Sequence, residues 1–298
     1  MRVLISGASG FIGSALAARL NTAGHEVVAL TRHPRSPHDI AWEPASGRID
    51  AGRLEGFDAV VHLAGESLAD GRWSPARKRA FRTSRVDGTS LLARALGERR
   101  QPPAVLVSVS AIGIYGDRGD EPVDESSPPG NDFLSELAIA WEAAADPAER
   151  AGIRVVHPRI GLVLSPDGGA LEQLLPIARL GLGGPLGNGR QWWSWVTLED
   201  VIASLRFLIE DPAMQGPVNV VAPAAVRQKE FARILGRVLG RPAFLPAPGF
   251  ALSLLLGEMA NAMLLAGQHV RPARLEAAGF AFQDPALEPA LRRLLERP

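Results

Sequence analysis

The chain of 298 residues contains no cysteine, a single tyrosine, Tyr115, and two lysines, Lys78 and Lys229. Without thiols there is no disulfide, no thiolate nucleophile and no sulfur-ligated metal. The scarcity of tyrosine and lysine excludes a second device as well. The residue four positions after Tyr115 is Gly119, so the chain holds no Tyr-x-x-x-Lys pair. Net charge is absent too, because 32 basic and 32 acidic residues cancel and leave no global field to draw nucleic acid or an anionic membrane. The six histidines are scattered without metal-ligand spacing, so no metal is expected. No apolar run reaches the roughly 20 residues of a membrane span. The most apolar stretch, 250–267, is broken by Glu258 and Asn261 and is expected to be a buried or amphipathic helix. The first residues lack the layout of a secretory signal, which points to the cytoplasm.

What is present begins at residue 1. Residues 1–6 (MRVLIS) read as a short buried strand that runs into Gly7, Ala8, Ser9, Gly10, Phe11, Ile12 and Gly13, after which apolar residues recur at helical spacing. A strand, a glycine turn and a helix in that order place free backbone N–H groups and a positive helix end over a pyrophosphate. The spacing is G-x-x-G-x-x-G, and a second strand at 26–30 completes a βαβ unit. After that strand come Thr31 and Arg32, with no carboxylate to hold a ribose 2′-hydroxyl. An arginine at this place accommodates a 2′-phosphate, which favours NADP over NAD. Further buried strands are expected at 58–64, 104–109 and 153–157, with a long helix at 75–96 between the first two. The alternation predicts a Rossmann-type, doubly wound parallel sheet. Residues 1–223 are expected to form this domain, with substrate-side insertions around 166–197, and 224–298 a smaller, mostly helical C-terminal domain on the substrate side. Residues 180–189 read as a glycine-rich loop, and 191–195 as one short strand carrying three tryptophans.

The glycine turn, the strand HLAGE ending at Glu66, the SxSAxGxYG stretch from Ser108 to Gly116 and WVTLEDV at 195–201 together resemble an extended short-chain dehydrogenase/reductase related to nucleotide-sugar epimerases. RxSRVxGT at 82–89, DFLSELAIAWEAAA at 132–145 and the C-terminal tail are similar to an atypical group, the SDR39U1-like or YfcH-like epimerase-family proteins. The resemblance implies bound NADP(H), with Thr31, Arg32, Leu63, Ala64, Arg85 and Ile160 as contacts. Gly65, Glu66 and Ser108 are added to that set beside Gly7, Ser9, Gly10, Phe11, Ile12 and Gly13 of the turn. It also implies that Phe133 and Leu137 stand where the wider superfamily has its catalytic tyrosine and lysine, and neither side chain can move a proton.

Two residues are candidates to do acid/base work in their place. Ser110 follows the fourth core strand, where related enzymes place a catalytic serine or threonine, and Tyr115 offers a phenolic proton. Trp193 and Arg159 are expected on the substrate side. The reading is an NADP(H)-dependent oxidoreductase or nucleotide-sugar-epimerase-like enzyme on a small polar substrate, monomeric or homodimeric. The alternative is a catalytically silent NADPH-binding sensor or regulatory protein, for which the resemblance suggests a link to cell division.

Overall fold

Alternate residues of a strand point to opposite faces, and the molecule is built on that separation. In β1 (Arg2–Ser6), Val3 and Ile5 enter one apolar cluster and Leu4 enters another on the far side of the sheet. The computed structural model describes residues 1–296. From β1 the chain passes into α1 (Phe11–Thr22), β2 (Glu26–Thr31), β3 (Ile40–Glu43) and β4 (Arg48–Ile49). It then crosses to β5 (Ala59–His62) and a long helix assembled from α2 (Pro75–Arg82), a π-helical turn (Thr83–Asp87) and α3 (Gly88–Gly97). There follow β6 (Val105–Ser108), β7 (Ser110–Ala111), β8 (Pro122–Val123), α4 (Phe133–Ala143), α5 (Asp146–Arg150) and β9 (Arg154–Ile160). Next come β10 (Leu162–Ser165), α6 (Gly169–Arg179), β11 (Trp192–Trp193), β12 (Trp195–Thr197), α7 (Leu198–Glu210) and β13 (Gly216–Val220). The last stretch holds β14 (Val226–Arg227), α8 (Gln228–Leu239), α9 (Gly249–Leu256), a second π-helical piece (Ala260–Leu265), β15 (His269–Val270), α10 (Ala273–Ala277) and α11 (Leu287–Leu295).

The main sheet has the order β13-β9-β6-β5-β1-β2-β3-β4, with β7 beside β9, and every pairing in it is parallel except β3 with β4. The direction of winding reverses between β1 and β5, so a crevice opens at the carboxyl ends of those two strands. Both faces are covered, which is why β5 (AVVH) and β6 (VLVS) are buried at every position. Helices α1 and α7 cover one face through Leu16, Leu20, Val201 and Leu205, and α3 covers the other through Leu92 and Leu96.

A third cluster joins Leu171 and Leu175 of α6, Trp193, Trp195, Phe231 of α8 and Leu291 of α11, so 166–197 packs with the C-terminal helices. The C-terminal piece also reaches the sheet itself, since Leu275 of α10 lies in the first cluster, fully buried. No helix among the described residues is long and apolar enough to cross a membrane.

Ahead of the glycine-rich loop at 180–189 the chain forms α6, helical despite Pro176 because Leu171, Leu175 and Ala178 present one buried stripe. Two expectations need correction. The tryptophans at 192–195 do not share a strand; Ser194 divides β11, paired with β14, from β12, paired with β10. Helix α9 is neither buried nor amphipathic, for it has no buried residue and leaves Phe250, Leu254 and Leu255 at 77%, 76% and 69% exposure.

Candidate functional site

The glycine turn between β1 and α1 sits at the crevice, and its glycines do separate jobs. Gly7 adopts φ +71°, a left-handed conformation that suits glycine. A Cβ on Gly13 would stand 2.1 Å from the Gly7 carbonyl oxygen, so this residue lets the helix close onto the turn. Gly10 is the N-cap of α1 and provides no side-chain cap, which leaves first-turn amides for a ligand. Ser9 and Gly10 are exposed, and Phe11 packs its ring against Gly168. Behind the turn, the Ser6 hydroxyl oxygen accepts from the amides of Leu63 and Ala64 at 3.1 and 3.3 Å, which ties the end of β5 to the end of β1. The same oxygen lies 2.6 Å from His62 Nδ1. Thr31 closes β2, and the following Arg32 is exposed with no partner for its guanidinium among the described residues.

Arg85 is placed by the π-helical turn. It is 8% exposed, donates from Nη1 to the Glu66 carbonyl at 2.9 Å and lies 5.0 Å from the Trp141 ring centroid. Burial draws its pKa down to about 10, with the Glu66 charge opposing, so it remains a cation at neutral pH. The Glu66 amide in turn donates to Ser84 Oγ at 3.1 Å, and a Cβ on Gly65 would stand 3.3 Å from the Arg85 guanidinium carbon, so the two residues pack closely. Two hydroxyls at the ends of β6 and β7, Ser108 Oγ and Ser110 Oγ, are buried and have no hydrogen-bond partner. Orphaned groups of this kind need an explanation, and a bound ligand is one. An uncapped helix end, an unengaged arginine after β2 and unpartnered hydroxyls at neighbouring strand ends together fit the phosphate, 2′-phosphate and polar parts of NADP(H).

Beyond the strand ends lies a cleft of about 190 Å³, walled by α4 through Leu134, Leu137 and Trp141, by Ile160, and by Trp192 and Trp193. Helix α4 is well fixed at its start, where Asp132 caps it by accepting from the Ser135 amide at 2.8 Å. Phe133 meets Trp73 edge-on at 5.5 Å and holds the Lys78 ammonium 4.5 Å from its ring centroid, while that ammonium is paired with Glu258 at 2.6 Å. Leu137 is buried. The two positions where the wider superfamily has its tyrosine and lysine thus present carbon alone.

Tyr115 is not among the cleft residues. Fully buried, it donates its proton to Asn219 Oδ1 at 2.8 Å and accepts from Arg159 Nη1 at 2.9 Å. Burial pushes its pKa up, the Arg159 charge pulling the other way, so the phenol holds its proton more firmly than a free one. Arg159 in turn grips Glu142 with two 2.8 Å hydrogen bonds. Burial lowers its pKa, but the Glu142 carboxylate outweighs that and raises it overall. Both residues are committed to a buried network that sequence reasoning could not foresee, because Asn219 lies 104 positions from Tyr115. Trp193 does line the cleft, packed edge-on against Phe231 at 5.0 Å. Trp192, part of the tryptophan run noted in the sequence, lines the cleft too, its ring stacked on His269 at 4.0 Å beneath the Arg227 guanidinium.

Known proteins resemble this chain in both sequence and structure. Residues 3–221 match the family described as the NAD dependent epimerase/dehydratase family, and 247–294 match a domain of unknown function. An epimerase family protein of Mycobacterium bovis is 42% identical over 99% of this chain and 98% of its own length. Among solved structures, the human epimerase family protein SDR39U1, crystallised with NADPH, superposes with a TM-score of 0.91 at 38% identity, with all of both chains covered. A nucleoside-diphosphate sugar epimerase of Corynebacterium glutamicum gives 0.83 at 36% identity, covering 99% of this chain and 58% of that one.

Proposed function

As the chain belongs to the NAD dependent epimerase/dehydratase family and to its SDR39U1-like group, we propose that it binds NADPH in the β1/β5 crevice and is an oxidoreductase acting on a carbonyl in the adjoining cleft. The observation that carries this reading is the turn of Gly7, Gly10 and Gly13 at the switch point, open to a ligand, with Arg32 unengaged beside it. When bound, NADPH supplies a hydride, which with one proton converts a carbonyl into an alcohol. The protein's part is to hold and orient. First-turn amides of α1 receive the pyrophosphate, Arg32 the 2′-phosphate, and Arg85, Leu63, Ala64 and Ile160 border the path toward the cleft.

Proton delivery is the step the family ordinarily gives to tyrosine and lysine, and here it falls to Ser110 or to water that Ser110 orients. Its hydroxyl is the buried, unpartnered one nearest in sequence to the cleft wall at Ala111 and Ile112. A serine hydroxyl is a far weaker acid than an activated phenol, so turnover is slow, at least about a hundredfold below enzymes that keep the dyad. A second reading, a catalytically silent NADPH sensor, is favoured by the carbon-only positions 133 and 137.

The test begins with titration of NADPH into the protein and into Gly10→Val, with circular dichroism as a check on folding. Tight binding in the first and none in the second, with equal dichroism, is the expected pair. Unimpaired binding by Gly10→Val would place the nucleotide elsewhere. NADPH consumption against a carbonyl panel then separates the two readings, since silence across the panel with tight binding selects the sensor.

A further inference from the structure

The cleft that would receive the substrate is almost free of charge, and its chemistry conflicts with a nucleotide-sugar ligand. Of the residues that line it, Arg85 alone carries a charge. That guanidinium already serves the Glu66 carbonyl and faces Trp141. Ser194 has also spent its hydroxyl, which donates to the Gln268 carbonyl at 2.7 Å and accepts from the Val270 amide at 2.9 Å. The nearest helix start, that of α4, is closed by the Asp132 carboxylate, so it offers an anion repulsion in place of free amides. Two cations in the surrounding elements are paired as well, Lys78 with Glu258 and Arg227 with Asp120. Even if the wall at Ile160 and Arg85 is left to the cofactor, the rest is mostly carbon, with Leu68, Leu134, Ala262 and Met263 aliphatic, the indoles of Trp192 and Trp193 beside them, and the Gln268 carboxamide as the uncommitted polar group.

A diphosphate placed there would lose its hydration without gaining the cations or amides that must replace it. An uncharged ring system would instead gain by covering aliphatic and indole surface. We infer that the substrate is an uncharged, largely apolar aromatic or alicyclic carbonyl compound, with the carboxamide of Gln268 as its polar contact, and not a nucleoside diphosphate sugar. This rests on the NADPH-dependent reading above, yet the ligand class can be tested separately.

The protein, with and without saturating NADPH, is titrated with 1-tetralone, acetophenone and UDP-glucose, following quenching of the cleft tryptophans and, in parallel, heat of binding. At least one of the two ketones is expected to bind tenfold or more tightly than UDP-glucose. Met263→Arg, which sets a cation in the apolar wall, should weaken ketone binding at least tenfold and leave NADPH affinity within about twofold; Met263→Leu should retain both. Retained NADPH affinity shows that the arginine variant is folded. UDP-glucose binding as tightly as the better ketone, binding by neither ketone, or ketone binding indifferent to Met263→Arg each overturns the inference. Ketone binding in a protein that takes up no NADPH sinks the cofactor reading and leaves this one standing, while tight NADPH and tight UDP-glucose binding does the reverse.

Discussion

At the scale of single residues, charge and hydrogen bonding separate binding groups from scaffolding. Arg32 has no partner for its guanidinium among the described residues, so its replacement costs the fold little and falls on the ligand. Arg32→Ala should weaken NADPH by about 1.5 to 3 kcal/mol, the worth of a charge-assisted contact, and leave NADH unchanged. Calorimetric titration of the two cofactors reads this directly, and equal affinities in the unmutated protein would defeat it. Tyr115 is the opposite case. Tyr115→Phe strips a partner from both Asn219 and Arg159 in a buried site, so a stability loss of about 1 to 3 kcal/mol in urea is expected. NADPH affinity and any turnover should hold, whereas a tyrosine that passed the proton would take at least about a hundredfold of rate with it.

At the scale of elements, β5 carries a pH response. His62 is completely buried at its end, and burial lowers its pKa to about 4 from an ordinary 6.5. The unfolded chain therefore takes up a proton before the folded one does, and stability drains as pH falls from 6.5 toward 4. Between pH 6.5 and pH 5 the loss attributable to this one side chain reaches up to about 2 kcal/mol. Burial also lowers the pKa values of His157 and His269, so they act in the same direction. Urea midpoints at the two pH values test the drain, and His62→Asn should flatten the slope; an unchanged slope in that variant would assign it to the other histidines.

Elements also differ in how much of them the sequence disclosed. The β1–turn–α1 unit was legible because strand, glycines and helix are adjacent in the chain and each constrains the next. Helix α6 was obscured by Gly168, Gly169 and Pro176, local punctuation that tertiary burial of Leu171 and Leu175 overrides. The inward aim of Arg85 depends on a π-helical turn, whose extra residue leaves no mark in an apolar pattern. The missing dyad could be read from composition, whereas the Tyr115, Arg159, Glu142 and Asn219 network joins segments far apart in sequence and exists only once the sheet has formed.

For the whole molecule, the decisive fact is that the C-terminal piece fills part of the main core. Leu275 is fully buried among residues of β13, α7 and neighbouring strands, and Arg274 beside it donates to the carbonyls of Gln215 and Pro217. Leu275→Ala should cost about 2 to 5 kcal/mol and lower the one cooperative melting transition as a unit, with no separate early step for 224–298. Scanning calorimetry distinguishes one transition from two. The same burial sets a timetable for synthesis. At a ribosomal pace of roughly 5 to 20 residues per second, the interval between the emergence of β13 and of α10 lasts a few seconds or more. Throughout it the nascent sheet has an apolar socket and no plug, so the growing chain is open to capture by chaperones or by other chains until α10 appears.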